Sequence, residues 1–143
     1  MTKTSIRNLQ FAALPYRRRA AGDIEVMLIT SRDTGRWVIP KGWPVAALDP
    51  CDSAAREAKE ESGLVGRIGR RPLGRYSYDK RLDDGSALSC TVEVFGLEVE
   101  KQLRTWPERD ERRTRWFSPQ EAADAVQEPD LAAIFRKLRK LVA

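Results

Sequence analysis

The sequence predicts one mixed α/β domain, and three observations carry that expectation. Strand-type and helix-type segments follow in the order strands, helix, strands, helix, helix, which is not the regular alternation of a parallel βαβ array. No repeat, low-complexity tract or linker interrupts residues 1–143, so the whole chain reads as a single domain. With 143 residues, 41% hydrophobic and 33% charged, it has the size and composition of a soluble globular protein able to bury a core.

Ala12 to Arg18 and Ile24 to Thr30 read as two strands joined by the turn Ala20-Ala21-Gly22-Asp23. The second begins with alternation and ends as a continuous apolar run, the pattern of a central strand. After a turn from Ser31 to Gly35, Trp37-Val38-Ile39 is a short apolar strand stopped by Pro40, and Lys41-Gly42-Trp43-Pro44 reads as loop. A helix is expected from an Asp52 or Ser53 cap to about Ser62, with Gly63 as its stop. Strands follow at Val65 to Ile68, Pro72 to Tyr78 and Leu88 to Val99, the last two around a turn at Leu82-Asp83-Asp84-Gly85. Ser118-Pro119, with Glu121 three on from the cap, opens a helix through Val126. Leu131, Ile134, Phe135, Leu138 and Leu141 stand at helical spacing and predict a terminal amphipathic helix from Asp130 to Val142.

The chain contains no histidine. That removes Ser-His-Asp and Cys-His nucleophilic catalysis, histidine general-base chemistry and most zinc enzymes. A metal here must be a hard cation on oxygen ligands, such as Mg²⁺ or Mn²⁺. Net charge is +5 with a pI of about 9.5, which suits either an anionic partner or a mildly basic solvated surface. Two cysteines, Cys51 and Cys90, are too few for a disulfide framework and point to a reducing, cytoplasmic setting. No apolar run is long enough to span a bilayer, and the N-terminal stretch MTKTSIRNLQFAALPYRRR lacks the order of a signal peptide.

Chemistry concentrates at Arg56-Glu57-Ala58-Lys59-Glu60-Glu61-Ser62-Gly63-Leu64. On a helix Glu57, Glu60 and Glu61 share a face, and like charges that close repel unless something neutralises them. A divalent cation would do so, and would then bind phosphate oxygens and activate water. The plain alternative is a solvated acidic face softened by Lys59 and by Arg56 four residues before Glu60.

The neighbours favour the first reading. The unit Gly42 to Leu64 resembles the Nudix box: Gly, five residues, Glu, seven residues, Arg-Glu-apolar-any-Glu-Glu-any-Gly-apolar. Gly42, Arg56, Glu57, Ala58, Glu60, Glu61, Gly63 and Leu64 match at the required spacing, and only the first glutamate position departs, holding Leu48. Arg36-Trp37-Val38-Ile39-Pro40-Lys41-Gly42 and Arg113-Thr114-Arg115-Trp116-Phe117 look similar to the diphosphoinositol polyphosphate phosphohydrolase branch.

The resemblance implies an α/β/α sandwich with a mixed β-sheet, the box forming a loop-helix-loop. It implies a Mg²⁺- or Mn²⁺-dependent pyrophosphohydrolase acting on a phosphorylated small molecule, of diphosphoinositol polyphosphate or dinucleoside polyphosphate type. Nucleoside triphosphates or nucleotide sugars are the alternative substrates, and a catalytically lapsed binding or regulatory module is the alternative of another class. Carried over, Glu57, Glu60 and Glu61 are the metal carboxylates, with the Lys41 backbone carbonyl as a further ligand and Arg56 in the outer shell. The general base lies in the box or in a later loop, where Glu108 and Glu111 are the candidates. Lys41, Arg36, Arg32 and Arg18 are the expected phosphate contacts, and Trp43 the exposed tryptophan available for stacking. Leu48 leaves Arg56 without its usual partner, with Asp49, Asp52 or Glu60 as replacements. A membrane is not expected as partner. Nucleic acid is not expected either, since no aromatic-basic recognition motif is present; a homodimer is admitted.

Overall fold

A computed structural model describes residues 8–143, and its centre is one eight-stranded sheet. The first residues of the stretch read against a signal peptide lie outside the described residues. The strands are β1 (Leu9–Arg18), β2 (Ile24–Thr30), β3 (Trp37–Val38), β4 (Lys41–Gly42), β5 (Leu64–Ile68), β6 (Gly74–Arg81), β7 (Ala87–Gln102) and β8 (Thr114–Phe117). The helices are α1 (Pro50–Ser62), α2 (Pro119–Ala125), α3 (Pro129–Arg136) and α4 (Leu138–Leu141).

The parallel pair β1 and β7 forms the spine, in register from Leu9↔Thr91 to Tyr16↔Glu98. Every other pairing is antiparallel: β2 and β4 on β1, β3 and β8 on β2, β5 and β6 on β7. Val26 pairs with both Tyr16 and Phe117, so β1 and β8 flank opposite edges of β2.

Helices cover both faces. Ala12, Leu14 and Tyr16 of β1 pack into a cluster with Ala122, Leu131, Phe135 and Leu138 from α2, α3 and α4. Phe11 and Ala13, one pleat out of phase, pack instead with Cys51, Ala54 and Ala58 of α1. This explains why β1 carries a nearly continuous apolar run rather than an alternating one. Fully burying a Leu or Phe contributes about 1.5–3 kcal/mol, so either cluster alone is worth several such side chains. The α/β/α sandwich with a mixed sheet is as expected.

Several elements differ from the sequence reading. Lys41-Gly42 is not loop: the two residues pair with Ala12 and Phe11 as β4. Helix α1 starts at Pro50 with Asp49 at its cap position, rather than at Asp52 or Ser53. Proline's fixed φ suits the first helical position, and Ser53 is buried inside the helix, where its hydroxyl accepts from the Val45 amide at 3.1 Å. β6 runs on to Arg81 and β7 to Gln102, because the two strands pair along their length and β5 holds the end of β7. The strand β8 has no turn signal before it and is formed by pairing with the distant β2. The terminal helix breaks at Lys137 into α3 and α4 (φ −99°, ψ 3°), and the change of phase buries Leu138 but leaves Leu141 exposed. The capping box at Ser118 and Glu121 forms as expected, with both reciprocal bonds present.

Candidate active site

Helix α1 begins at Pro50 and ends where Gly63 turns left-handed (φ 73°), its amide donating to the Lys59 carbonyl at 3.0 Å. Its inner face carries Ala54 and Ala58, small enough to lie close against β1, and this closeness draws Glu57 and Glu61 inward. The Glu61 side chain is only 8% exposed, and the Arg112 guanidinium stands 3.8 Å from it. Burial pushes the Glu61 carboxyl up to about 8, reinforced by a hydrogen bond shared with Glu57. Burial raises the Glu57 carboxyl as well, opposed by that same hydrogen bond. Two carboxyls this close and this dry cannot both ionise comfortably without a cation.

Gly42 explains its own place in the pattern. A Cβ there would lie 2.6 Å from one Glu57 carboxylate oxygen and 2.7 Å from the other. Glycine lets that carboxylate stand where it does, a methyl would make it shift, and β4 holds the glycine against it through pairing with Phe11. Gly63 has a similar role at the other end of α1, where a side chain would run into the Trp106 ring. The loop after β7 is therefore seated on the helix end: the Leu103 amide donates to the Gly63 carbonyl at 2.8 Å and the Glu108 amide to the Glu60 carbonyl at 3.1 Å.

That loop brings Glu108 into the same cleft, of about 470 Å³, as Glu57 and Glu61. Arg112 donates to the Glu108 carboxylate at 2.8 Å and to the Thr30 carbonyl at 3.1 Å, locking one guanidinium among three elements. Lys41, Lys80, Arg32 and Trp43 also line the cleft. The Lys41 ammonium lies over the Tyr78 ring at 4.7 Å, and burial lowers its pKa against the attraction of Glu61. Tyr78 is itself fixed by donating to the Gln10 side chain at 2.6 Å.

Not every expected residue arrives. Glu60 faces out of the cleft and pairs with Arg56 at 3.2 Å, which answers the question raised by Leu48: Asp49 is taken by Arg70, and Arg56 leans on Glu60. Among the described residues no three acidic groups converge closely enough to cage an ion as they stand. The donor set nevertheless fits a hard dication, because the buried Glu61 and the half-buried Glu57 are adjacent oxygen ligands whose carboxyls burial pushes up, with Arg112 at 3.8 Å from Glu61. Glu60 is held back only by an exposed ion pair, of a kind worth about 0–1 kcal/mol. Glu111 pairs with Arg32 at 2.8 Å outside the cleft lining. Arg36 pairs with the buried Glu128 at 2.9 Å. Arg18 is a correction: it reaches Glu98 and the Val142 carbonyl, away from the cleft, because the end of β1 runs alongside β7 toward the C-terminal turn. Arg112, Tyr78 and Gln10 were not singled out from the sequence. Only Arg112 carried a signal, four residues after Glu108.

The NUDIX domain family profile matches residues 8–138. Nudix hydrolase 13, mitochondrial, of Arabidopsis thaliana is 32% identical over 106 residues, covering 71% of this chain and 52% of the plant protein. Diphosphoinositol polyphosphate phosphohydrolase 3-alpha of Mus musculus is 29% identical over 126 residues, covering 85% of this chain and 73% of the mouse protein. The chain spans about half the length of the plant relatives it matches. Among solved structures, an Ap4A hydrolase from C. elegans has a TM-score of 0.65 at 21% identity, covering 94% of this chain and 96% of that one. That likeness is one of fold. The profile match takes in nearly all the described residues, and with it the glycine seat and the glutamate helix find a common explanation: this chain belongs to the Nudix family.

Proposed function

We propose that this chain, as one domain, is a pyrophosphohydrolase dependent on Mg²⁺ or Mn²⁺. Its substrate is a highly phosphorylated small molecule of diphosphoinositol polyphosphate or dinucleoside polyphosphate type. One observation carries the reading: the buried Glu61 and the half-buried Glu57 beside it share a cleft with Lys41 and Lys80. Acid to hold a dication and base to hold phosphate occupy one space, as hydrolysis of a phosphoanhydride requires. The family names of the plant and mouse relatives agree with that chemistry.

Glu57, Glu61 and a Glu60 released from Arg56 would hold the cation, with the Lys41 carbonyl as a further donor. The bound cation supplies charge neutralisation on the phosphates and a more acidic water. Lys41 and Lys80 bind the non-bridging phosphate oxygens, and Arg32 at the rim steers the polyanion inward. Glu108, oriented by its bond from Arg112, accepts the proton of the attacking water at a carboxylate oxygen. Glu111 holds Arg32 and stands second as a base. Trp43, 42% exposed, is available to stack on a substrate ring.

A second reading, a Nudix-fold binding module without turnover, draws support from Leu48 and from the engagement of Glu60 with Arg56. Assaying hydrolysis of a panel of polyphosphates with Mg²⁺ and with Mn²⁺ separates the two. The enzyme reading expects turnover that falls by about 100-fold or more in Glu57→Gln and Glu61→Gln. Tight metal-dependent binding with no turnover of any substrate would favour the module. The compartment proposed is the cytoplasm, in keeping with free, buried Cys51 and Cys90. No helix among the described residues is long and apolar enough to cross a membrane.

A further inference from the structure

Gln10 is a polar side chain in the apolar run of β1, 3% exposed, and it lines the cleft that holds Glu57 and Glu61. The sheet register places it there. Ala12 pairs with Lys41 of β4, and Gln10, two residues earlier on β1, points to the same face. Across β7, Gln10 pairs with Val92 and Val92 with Tyr76, so Tyr78 of β6 stands one pleat further along that face. Ala12, Val92 and Tyr76 pack in one cluster with residues of α2 and α3. Gln10 and Tyr78 instead line the cleft, in company with Lys41 and Lys80.

A side-chain amide has an accepting end and a donating end, and either one left unpaired away from water costs free energy. The accepting end of Gln10 is taken, for the Tyr78 hydroxyl donates to Oε1 at 2.6 Å. That bond fixes which way round the amide stands. Its Nε2 end donates to no protein group among the described residues, and the cleft that Gln10 lines is the space left for it. Tyr78 serves a second neighbour as well, since the Lys41 ammonium lies over its ring at 4.7 Å. One tyrosine therefore holds two donors of the cleft, a charged one by its ring and a neutral one by its hydroxyl.

We infer that Gln10 is a further substrate-binding residue, whose Nε2 donates to a phosphate oxygen beside Lys41, and that Tyr78 is the positioning residue for both. This rests on the proposed pyrophosphohydrolase reading and adds to it a donor that carries no charge. A donor-only group between two lysines suits an oxygen that accepts, and the non-bridging oxygens of a phosphate do so. The contribution of Lys41 and Lys80 to binding falls with salt, whereas that of a neutral amide held at 3% exposure does not.

Two measurements test it: steady-state kinetics on a polyphosphate that the wild type hydrolyses, and calorimetry of inorganic tripolyphosphate binding in EDTA at low and high salt. Gln10→Leu, of similar size in an apolar strand, should raise KM and weaken tripolyphosphate binding by about tenfold at either salt, with kcat held within about twofold. Gln10→Glu puts an acceptor where the donor stood and should weaken binding further. Tyr78→Phe keeps the ring under Lys41 but frees the amide, and should weaken binding by about threefold. In the Gln10→Leu background the same substitution should add nothing, a non-additivity in affinity that a merely structural tyrosine would not give. Should Gln10→Leu fail to fold, as urea unfolding would reveal, the Tyr78→Phe loss of affinity at unchanged kcat decides the matter. Tripolyphosphate binding by Gln10→Leu within about twofold of wild type, a loss confined to kcat, or additive losses in the double variant overturns the inference. If no polyphosphate is hydrolysed, the underlying enzyme reading fails instead, and the tripolyphosphate affinities alone sustain or overturn the role of Gln10.

Discussion

Replacing Glu61 with glutamine should make the metal-free protein more stable at alkaline pH, and the size of the effect follows from burial. The Glu61 carboxyl titrates near 4.5 when unfolded and is pushed up to about 8 in the fold, chiefly by desolvation. Between those values the folded protein holds a proton that the unfolded chain has released. Stability is therefore full below about 4.5 and is lost as the pH rises toward about 8. This is the reverse of a salt-bridged carboxylate. The ceiling is about 1.4 kcal/mol per pH unit for one proton, and because Glu57 shares that proton the loss belongs to the pair. Urea unfolding in EDTA at a series of pH values measures it. Wild type should lose stability across this range, and Glu61→Gln should lose distinctly less and be the more stable protein at the alkaline end. Saturating Mg²⁺ should restore wild type and leave the variant unmoved, by about 2.7 kcal/mol at one hundred times the dissociation constant. Parallel pH profiles for the two proteins would refute the claim that Glu61 is buried at an electrostatic cost.

Other consequences concern the seats around this pair. Gly42→Ala places a methyl into the Glu57 carboxylate and should weaken Mg²⁺ binding and lower kcat by about 10–100-fold, read by calorimetry and steady-state kinetics. Leu48→Glu offers Arg56 a new partner and frees Glu60, so Mg²⁺ affinity should rise by about twofold, the worth of an exposed helical ion pair. Trp106→Ala unseats the loop carrying Glu108 and should lower kcat more than it raises KM, whereas Trp106→Phe, which keeps a ring over Gly63, should restore most of the rate.

The glutamate helix was legible because its signals are local. Gly63 follows a run at helical spacing, and Gly42 stands at a fixed distance from it. The capping box at Ser118 was legible for the same reason. What stayed hidden depends on partners remote in sequence. β8 exists because β2 lies beside it, and Arg112 matters because Glu61 and the Thr30 carbonyl are brought to it from α1 and β2. Which way an arginine turns is equally non-local. Arg18 and Arg36 read as phosphate ligands by charge, yet each finds a carboxylate on another element. The Arg56–Glu60 pair is legible in the helical spacing, but the outward turn of Glu60 is not, since the same spacing sets Glu57, Glu60 and Glu61 on one face.

A crystal structure of the protein with Mg²⁺ and a non-hydrolysable dinucleoside polyphosphate tests the account most directly. It should show the ion on Glu57 and Glu61, with Glu60 drawn off Arg56, and the phosphates at Lys41 and Lys80. An ion bound away from α1, or a cleft that holds the nucleotide with no ion between the phosphates and Glu57, would contradict it.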